Sequence, residues 1–303
     1  RRLMKVFITG ATGYIGGSVA AGLISAGHEV LGLVRSEARA KEAEARGIIP
    51  LMGMLDDADI LGQAARKADV VINAANSDHR ESALAMLAAI EGSNKLFIHT
   101  SGSSIVGTQA GGEPVENVFD EDTSFCPSPG RVDRVRINEH ILAATEKDIH
   151  TVILCPSLIY GMGRGVSLDS MQVPWLINVA RKYGGAKHIG SGENRWSNVH
   201  IDDLVDLYLL AMDKAPPGSF YFAENGENSM REVCGAINRT MAVAEDPGMM
   251  TIEEASEEWG EGAAINTMGS NSRVRGKRAR EELGWSPSAP SLIEEIERGC
   301  YAS

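Results

Sequence analysis

Residues 5–16 constrain this chain more than any other stretch. The apolar run Lys5-Val6-Phe7-Ile8-Thr9 ends in Gly10-Ala11-Thr12-Gly13, and Tyr14-Ile15-Gly16 opens an apolar helical pattern at once. The glycine spacing is G-x-x-G-x-x-G. A strand that turns sharply into a helix leaves unbonded N–H groups and a positive dipole end aimed at one spot, which suits a pyrophosphate. Gly10 is expected to make the turn, Gly13 to let phosphate approach the backbone, and Gly16 to let helix and strand pack closely. Thr12, Tyr14 and Ile15 fill the expected cofactor-facing turn. A plain strand–turn–helix is the competing reading. The flanking strand-like and helix-like runs favour the phosphate cradle.

The same alternation continues. Apolar strand patterns at 29–34, 48–55, 69–75 and 95–101 are separated by helical patterns at 36–46, 56–68 and 82–90. The run at 69–75 is apolar almost throughout, as strands buried on both faces are. This predicts an α/β fold, a Rossmann-type doubly wound parallel sheet whose strand ends share one ligand-binding edge. After an insertion at 107–129, rich in glycine, proline and acids, come a long helix at 132–147 and a sixth strand at 151–160. The insertion's place beyond a strand end suits an active-site cover, and a plain surface loop is the alternative. From about Gly161 the pattern loosens. Residues 4–160 are expected to form the dinucleotide-binding domain, with 199–213 packing back on it. Residues 161–198 and 214–303 are expected to form a smaller, discontinuous C-terminal lobe.

Charge and cysteine content exclude several functions. A net charge of −12 lacks the electrostatic footprint of a nucleic-acid or anionic-membrane binder. No apolar run nears the roughly 18–20 residues of a membrane helix. Cys126, Cys155, Cys234 and Cys300 are scattered and form no C-x-x-C pair. They read as isolated thiols of a reducing, cytoplasmic compartment. The seven histidines show no ligand spacing, so no metal is expected. Residues 1–3, ahead of Met4, show neither a leader nor a basic arm.

The end of the second strand bears on the cofactor. An acidic residue there would hold a ribose 2′-hydroxyl, but Arg35 and Ser36 stand in its place and the first acid is Glu37. Arg35 and Ser36 suit a 2′-phosphate. NADP is therefore the expected cofactor, with NAD open, and a solvated Arg35 capping a strand is the bland alternative.

Six motifs in order carry a resemblance. They are Thr9-Gly10-Ala11-Thr12-Gly13-Tyr14-Ile15-Gly16, Asn73-Ala74-Ala75, Thr100-Ser101-Gly102-Ser103-Ser104-Ile105-Val106-Gly107, Pro156-Ser157-Leu158-Ile159-Tyr160-Gly161, Asn198-Val199-His200-Ile201-Asp202-Asp203-Leu204 and Leu283-Gly284-Trp285-Ser286-Pro287. Together they cover nearly the whole chain, which resembles the short-chain dehydrogenase/reductase superfamily, in its extended epimerase/dehydratase branch and its atypical members. The resemblance implies a cofactor wall at Ala74, Ala75, Asn76, Thr100, Pro156, Ser157 and Leu158. It also implies an adenine contact in the third-strand turn, where Gly53-Met54-Leu55 carries Met54 in place of the family's Asp and recognition falls to backbone and packing.

The catalytic group departs from the pattern. The family uses Ser or Thr to bind the substrate oxygen, Tyr as proton donor and Lys to tune it, with Y-x-x-x-K opening the long helix. Here that stretch reads Arg131-Val132-Asp133-Arg134-Val135-Arg136-Ile137-Asn138-Glu139, with no tyrosine. Arg136 is the expected substitute for the lysine, able to bind ribose or polarise a carbonyl but not to release a proton. Gly102 falls on the expected serine, so the flanking Ser101 and Ser103 are the oxygen-binding candidates. Tyr160, ending a strand on the ligand edge, is the candidate donor, against a purely structural role. A literal Y-x-x-x-K at Tyr183–Lys187 contains two glycines and follows the sixth strand, so it is not the expected pair. Arg195 and Trp196 are candidate substrate contacts. His200 is expected to be structural, and Asp202 and Asp203 to cap a helix.

The expected activity is NADP-dependent reduction of a small carbonyl, imine or enone. A non-catalytic NADP-binding sensor or scaffold is the alternative from another class, and a nucleotide-sugar epimerase or dehydratase the second. The expected partner is a small-molecule substrate. The resemblance implies a homodimer through 82–90 and 132–147, but Arg134, Arg136 and Lys147 put charge there and leave the assembly open.

Overall fold

The computed structural model describes residues 2–302; Arg1, the first residue of the expected featureless stretch 1–3, and Ser303 lie outside the described residues. The first hundred residues alternate as the sequence predicts. They form β1 Lys5–Thr9, α1 Tyr14–Ser25, β2 Glu29–Val34, α2 Glu37–Ala45, β3 Ile49–Met52, α3 Ala58–Lys67, β4 Val70–Asn73, α4 Arg80–Ile90 and β5 Leu96–Thr100. Then come β6 Thr108–Gln109, α5 Val132–Ala143, β7 His150–Pro156, β8 Leu158–Tyr160, α6 Gln172–Tyr183, β9 Lys187–Ile189 and β10 Arg195–His200. The last third holds α7 Ile201–Lys214, β11 Ser219–Ala223, β12 Glu227–Ser229, α8 Met230–Thr240, β13 Gly248–Met250, α9 Ile252–Trp259 and β14 Ser270–Asn271.

The large sheet has seven strands in the order β11-β7-β5-β4-β1-β2-β3, every pair parallel. Side chains alternate between its two faces, as strand geometry requires. Val6, Ile8, Val70, Ile72, Ile98 and Val152 pack on one face with α1, α2 and α7. Phe7, Val71, Phe97 and Ile153 pack on the other with α3, α4 and α5. From β1 the chain runs outward to β2 and β3, then returns to β4 on β1's other side. That reversal opens a crevice beyond the carboxyl ends of β1 and β4, where ligands of such sheets bind.

A three-stranded sheet, β12-β10-β8, starts the second core. Leu158, Tyr160, Val173, Leu176, Trp196, Val233, Leu292 and Ile296 are buried there. The expected single strand at 151–160 is two strands, because the chain changes sheets at Pro156–Ser157. β7 stays in the large sheet, and β8 pairs with β10. The C-terminal part is less separate than expected. β11, read as belonging to the small lobe, is an edge strand of the large sheet. The helix Lys277–Leu283 and Trp285 also join the large core. Trp285 Nε1 donates to Asp203 O at 2.9 Å, so the fifth and sixth sequence motifs meet in space.

The insertion at 107–129 does not line the cleft described below. β6 pairs with β14, and Phe119 N donates to Arg273 O at 2.9 Å. Asn271 Nδ2 donates to Glu113 O at 2.8 Å. These bonds fasten the insertion to the segment that bears β14.

Candidate active site

The glycine turn is a backbone device. Gly10 has φ +74°, and a Cβ there would lie 2.5 Å from Ala74 O. A Cβ on Gly16 would lie 2.1 Å from Gly10 O. Neither clash is tolerable, so both positions require glycine. Gly13 is roomier: its nearest neighbour, Gly10 O, would be 3.3 Å away. Gly13 is also the N-cap of α1 and offers no side-chain hydrogen bond to the helix. The first N–H groups of α1 are left for a ligand, which fits a dinucleotide's pyrophosphate. The following segment is tied to this turn, with Ser167 Oγ donating to Thr12 O at 2.7 Å and Tyr14 OH to Gly161 O at 2.7 Å. Burial pushes the Tyr14 hydroxyl far above its ordinary pKa.

At the end of β2, Arg35 is exposed and makes no hydrogen bond or ion pair with the described residues. Ser36 caps α2, its Oγ accepting from Arg39 N at 3.2 Å. Met54 is 48% exposed, and its N–H donates to Asp57 Oδ2 at 2.7 Å. Leu55 is partly buried against the large core.

A cleft of about 460 Å³ opens at the sheet's ligand edge. Gly13, Tyr14, Ile15, Ala74, Ala75, Asn76, Thr100, Pro156 and Ser157 line its cofactor side. Leu158, expected on that wall, is 2% exposed and lies in the second core. Ile159 lines the cleft instead, because successive side chains of a strand point to opposite faces.

Serines and arginines form the opposite wall. Ser101, Ser103 and Ser104 all line the cleft, each with a different partner. Ser101 Oγ accepts from Asn138 Nδ2 at 2.8 Å. Ser103 Oγ lies 2.9 Å from Ser272 Oγ. Ser104 Oγ accepts from Arg131 Nε at 2.7 Å and from Arg134 Nη1 at 3.2 Å. Asp78 accepts the remaining fork of Arg134, through Nε and Nη2, both at 2.8 Å. That bond holds the Asp78 carboxyl below its ordinary range. Burial, and then the charge of Arg134, lowers the pKa of Arg131.

Arg136 does not belong to this wall. Its side chain is 69% exposed and sits 3.8 Å from Asp133 on the outer surface, whereas that of Arg134 is 14% exposed. Residues two apart on a helix face opposite ways, and residues four apart share a face. Arg134 and Asn138 therefore hold the Y-x-x-x-K spacing in space. Arg131, Arg134, Asp78 and Ser104 are among the cleft residues that the sequence did not single out, and Asn138 stands behind Ser101. The i, i+4 spacing of Arg134 and Asn138 was the available signal.

Behind the wall runs a buried polar chain. Thr9 Oγ1 donates to Asn73 Oδ1 at 2.7 Å, and Asn73 Nδ2 lies 3.1 Å from His99 Nδ1. Burial, aided by Arg134, lowers the His99 pKa to about 4, so the imidazole is neutral at pH 7. Its Nε2 has no hydrogen-bond partner among the described residues.

Two further candidates leave the site. Tyr160 is 1% exposed, and its OH donates to Pro290 O at 2.7 Å. It packs edge-on against His200, with ring centroids 5.2 Å apart, and does not line the cleft. Arg195 turns to Glu227, at 2.8 Å, and Glu232, at 3.1 Å. Trp196 lines the cleft, with Nε1 donating to Ser270 O at 2.9 Å. His200 caps α7 by accepting from Asp202 N at 3.0 Å. Asp203, expected to be a cap, instead accepts from Ser288 N at 3.0 Å and Ala289 N at 3.1 Å.

Residues 6–222 match the family described as NAD dependent epimerase/dehydratase family. The chain belongs to this family. Oxidase ucsJ of Acremonium sp is 31% identical, with 97% of this chain and 95% of that protein covered. The 2-alkyl-3-oxoalkanoate reductase of Stenotrophomonas maltophilia is 28% identical, covering 80% of this chain and 77% of that protein. Among solved structures, UDP-glucuronic acid 4-epimerase from Bacillus cereus superposes with a TM-score of 0.78 at 18% identity, covering 99% of both chains. The family match and the reductase and oxidase relatives make this an NAD(P)-dependent enzyme of the oxidoreductase type. Among the described residues, no helix is long and apolar enough to cross a membrane, and no cluster of three His, Cys, Asp or Glu side chains is placed to hold a metal.

Proposed function

We propose that this enzyme is an NADP-dependent reductase of a small carbonyl, imine or enone compound. One observation carries the reading: a cleft with a glycine cradle on one side and a hydrogen-bonding serine–arginine wall on the other. The free Arg35 at the end of β2 supports NADP through a 2′-phosphate, and the 3-oxoalkanoate reduction for which the Stenotrophomonas relative is named supports a carbonyl substrate. Gly10, Gly13 and Gly16 hold the pyrophosphate by backbone. Thr100, Pro156 and Ser157 border the nicotinamide end. A bound nicotinamide supplies the hydride. Trp196, Met171 and Gln172 enclose the substrate and exclude water, while the serine wall holds its oxygen. The missing tyrosine disfavours epimerase or dehydratase chemistry, which must withdraw a proton from a sugar hydroxyl.

The test is loss of the NADPH absorbance band with a panel of ketones, imines and enones. Turnover of at least one compound is expected. NADPH binding with no turnover across the panel would overturn the reading in favour of a sensor.

A further inference from the structure

We propose that Ser104 is the hydroxyl that hydrogen-bonds the substrate's reacting oxygen, with Arg131 and Arg134 as positioning residues in place of the missing Tyr–Lys pair. The inference rests on the reductase reading. It comes from the different partners of three serines that share one wall: charged guanidinium groups at Ser104, neutral groups at Ser101 and Ser103.

A serine hydroxyl has one proton to donate and two lone pairs to accept with. Ser103 Oγ accepts from Ser272 Oγ at 2.9 Å, and Ser272 Oγ also reaches Ser103 O at 2.6 Å, so a neutral hydroxyl is the one side-chain partner of Ser103. Ser101 Oγ accepts from the neutral Asn138 amide at 2.8 Å and lies beside the Cys155 thiol. Ser104 is the reverse case. Both of its lone pairs are filled by guanidinium N–H groups, from Arg131 Nε and Arg134 Nη1. Its own proton finds no acceptor among the described residues, although the side chain is buried and lines the cleft. A hydroxyl in this state can only donate, and the cleft is where it donates.

The guanidinia do more than orient it. Arginine keeps its proton, so two fixed positive charges face the Ser104 oxygen. Asp78 grips Arg134 through Nε and Nη2 and fixes the guanidinium. Arg131 forms no ion pair with a described carboxylate, so its charge is not cancelled by a partner. When the carbonyl carbon gains a hydride, the C=O electron pair moves onto oxygen. That oxygen takes the proton from Ser104 Oγ, and the Ser104 oxygen, held by both guanidinia, regains one from water. Such preset donors act most strongly where charge develops.

The experiment uses the full chain, NADPH and the panel compound that the wild type reduces fastest. Ser104→Ala is expected to lower kcat about 100-fold, the usual loss for one oxyanion donor, with the NADPH Kd unchanged. Ser104→Thr, which keeps the hydroxyl, is expected to recover most of that loss. The infrared carbonyl stretch of the bound compound in a complex with NADP is expected to shift upward in Ser104→Ala as the hydrogen bond is lost. Arg136→Ala is expected to match the wild type throughout. A wild type active on the panel with Ser104→Ala within threefold of it, or with no change in the carbonyl stretch, overturns the Ser104 role alone. A wild type inactive on every compound overturns the reductase reading and the Ser104 role together. If Ser104→Ala melts more than a few degrees below the wild type, Ser104→Gly replaces it with the same expected outcomes.

Discussion

The two sides of the cleft are built in opposite ways. The cradle at Gly10–Gly16 is made of backbone, from one continuous stretch, and works because side chains are absent. The wall at Ser101–Ser104 is made of side chains from four separate places: the β4 and β5 ends, α5 and the segment at Ser272. A ligand held by backbone depends on local spacing, which a sequence displays. A ligand held by side chains depends on which face of each element turns inward. The cradle accordingly keeps its expected form here, while the wall changes its residues without losing its place.

The largest effect is expected from breaking the cradle. Gly16→Ala should cost about 3 kcal/mol of stability, because the added Cβ meets rigid backbone, and should raise the NADPH Kd more than tenfold. Gly13→Ala has more room and should cost less than about 1 kcal/mol while still weakening NADPH. Melting curves and fluorescence titrations distinguish the two, and equal destabilisation would sink this account of the turn.

The buried chain Thr9–Asn73–His99 joins cradle to wall, and pH should sharpen its role. The folded His99 pKa of about 4 lies below its ordinary value near 6.5. As pH falls from about 6.5 to 4, the unfolded chain takes up the proton first, so stability falls across that window. The loss is at most about 3 kcal/mol. Denaturant titrations at pH 7 and pH 4.5 should show a smaller difference for His99→Gln than for the wild type. The same difference in both would remove His99 from the explanation.

Cofactor choice separates the outer end of the cradle from the rest. Arg35→Asp should weaken NADPH about tenfold, the loss of one charge-assisted bond to phosphate, and spare NADH. Parallel loss of both cofactors would mean that Arg35 does not face a 2′-phosphate. The smallest effect is expected from Tyr160→Phe. Removing its hydrogen bond to Pro290 O should cost about 1 kcal/mol and leave turnover within twofold. A large fall in kcat at unchanged stability would return Tyr160 to the wall.

Much of the fold was legible in the sequence. Strand and helix alternation, the doubly wound sheet and the position of its ligand edge all follow from local patterns at 5–16, 69–75 and 95–101. The wall was only half legible. Arg136 was favoured for its likeness to a lysine near the expected place, yet helical rotation points it to solvent and brings Arg134 and Asn138 inward. Tyr160 ends a strand, but that strand belongs to the second sheet, so its hydroxyl reaches Pro290. Arg195 looked free until β12 and α8 brought Glu227 and Glu232 to it from more than thirty residues away. Leu158 lay in the right motif, and the strand's alternation gave its place to Ile159.

By itself the sequence determined what local rules control: where strands turn into helices, where only glycine fits, and where a turn leaves backbone N–H groups open to a ligand. Hydrogen-bond spacing and steric exclusion act over a few residues, and a few residues are enough to read them. Only the tertiary structure decided which of the three wall serines meets two guanidinium groups. That depends on Arg131, Arg134, Asn138 and Ser272 arriving from elsewhere in the chain, and on the single direction in which each side chain can point once packed.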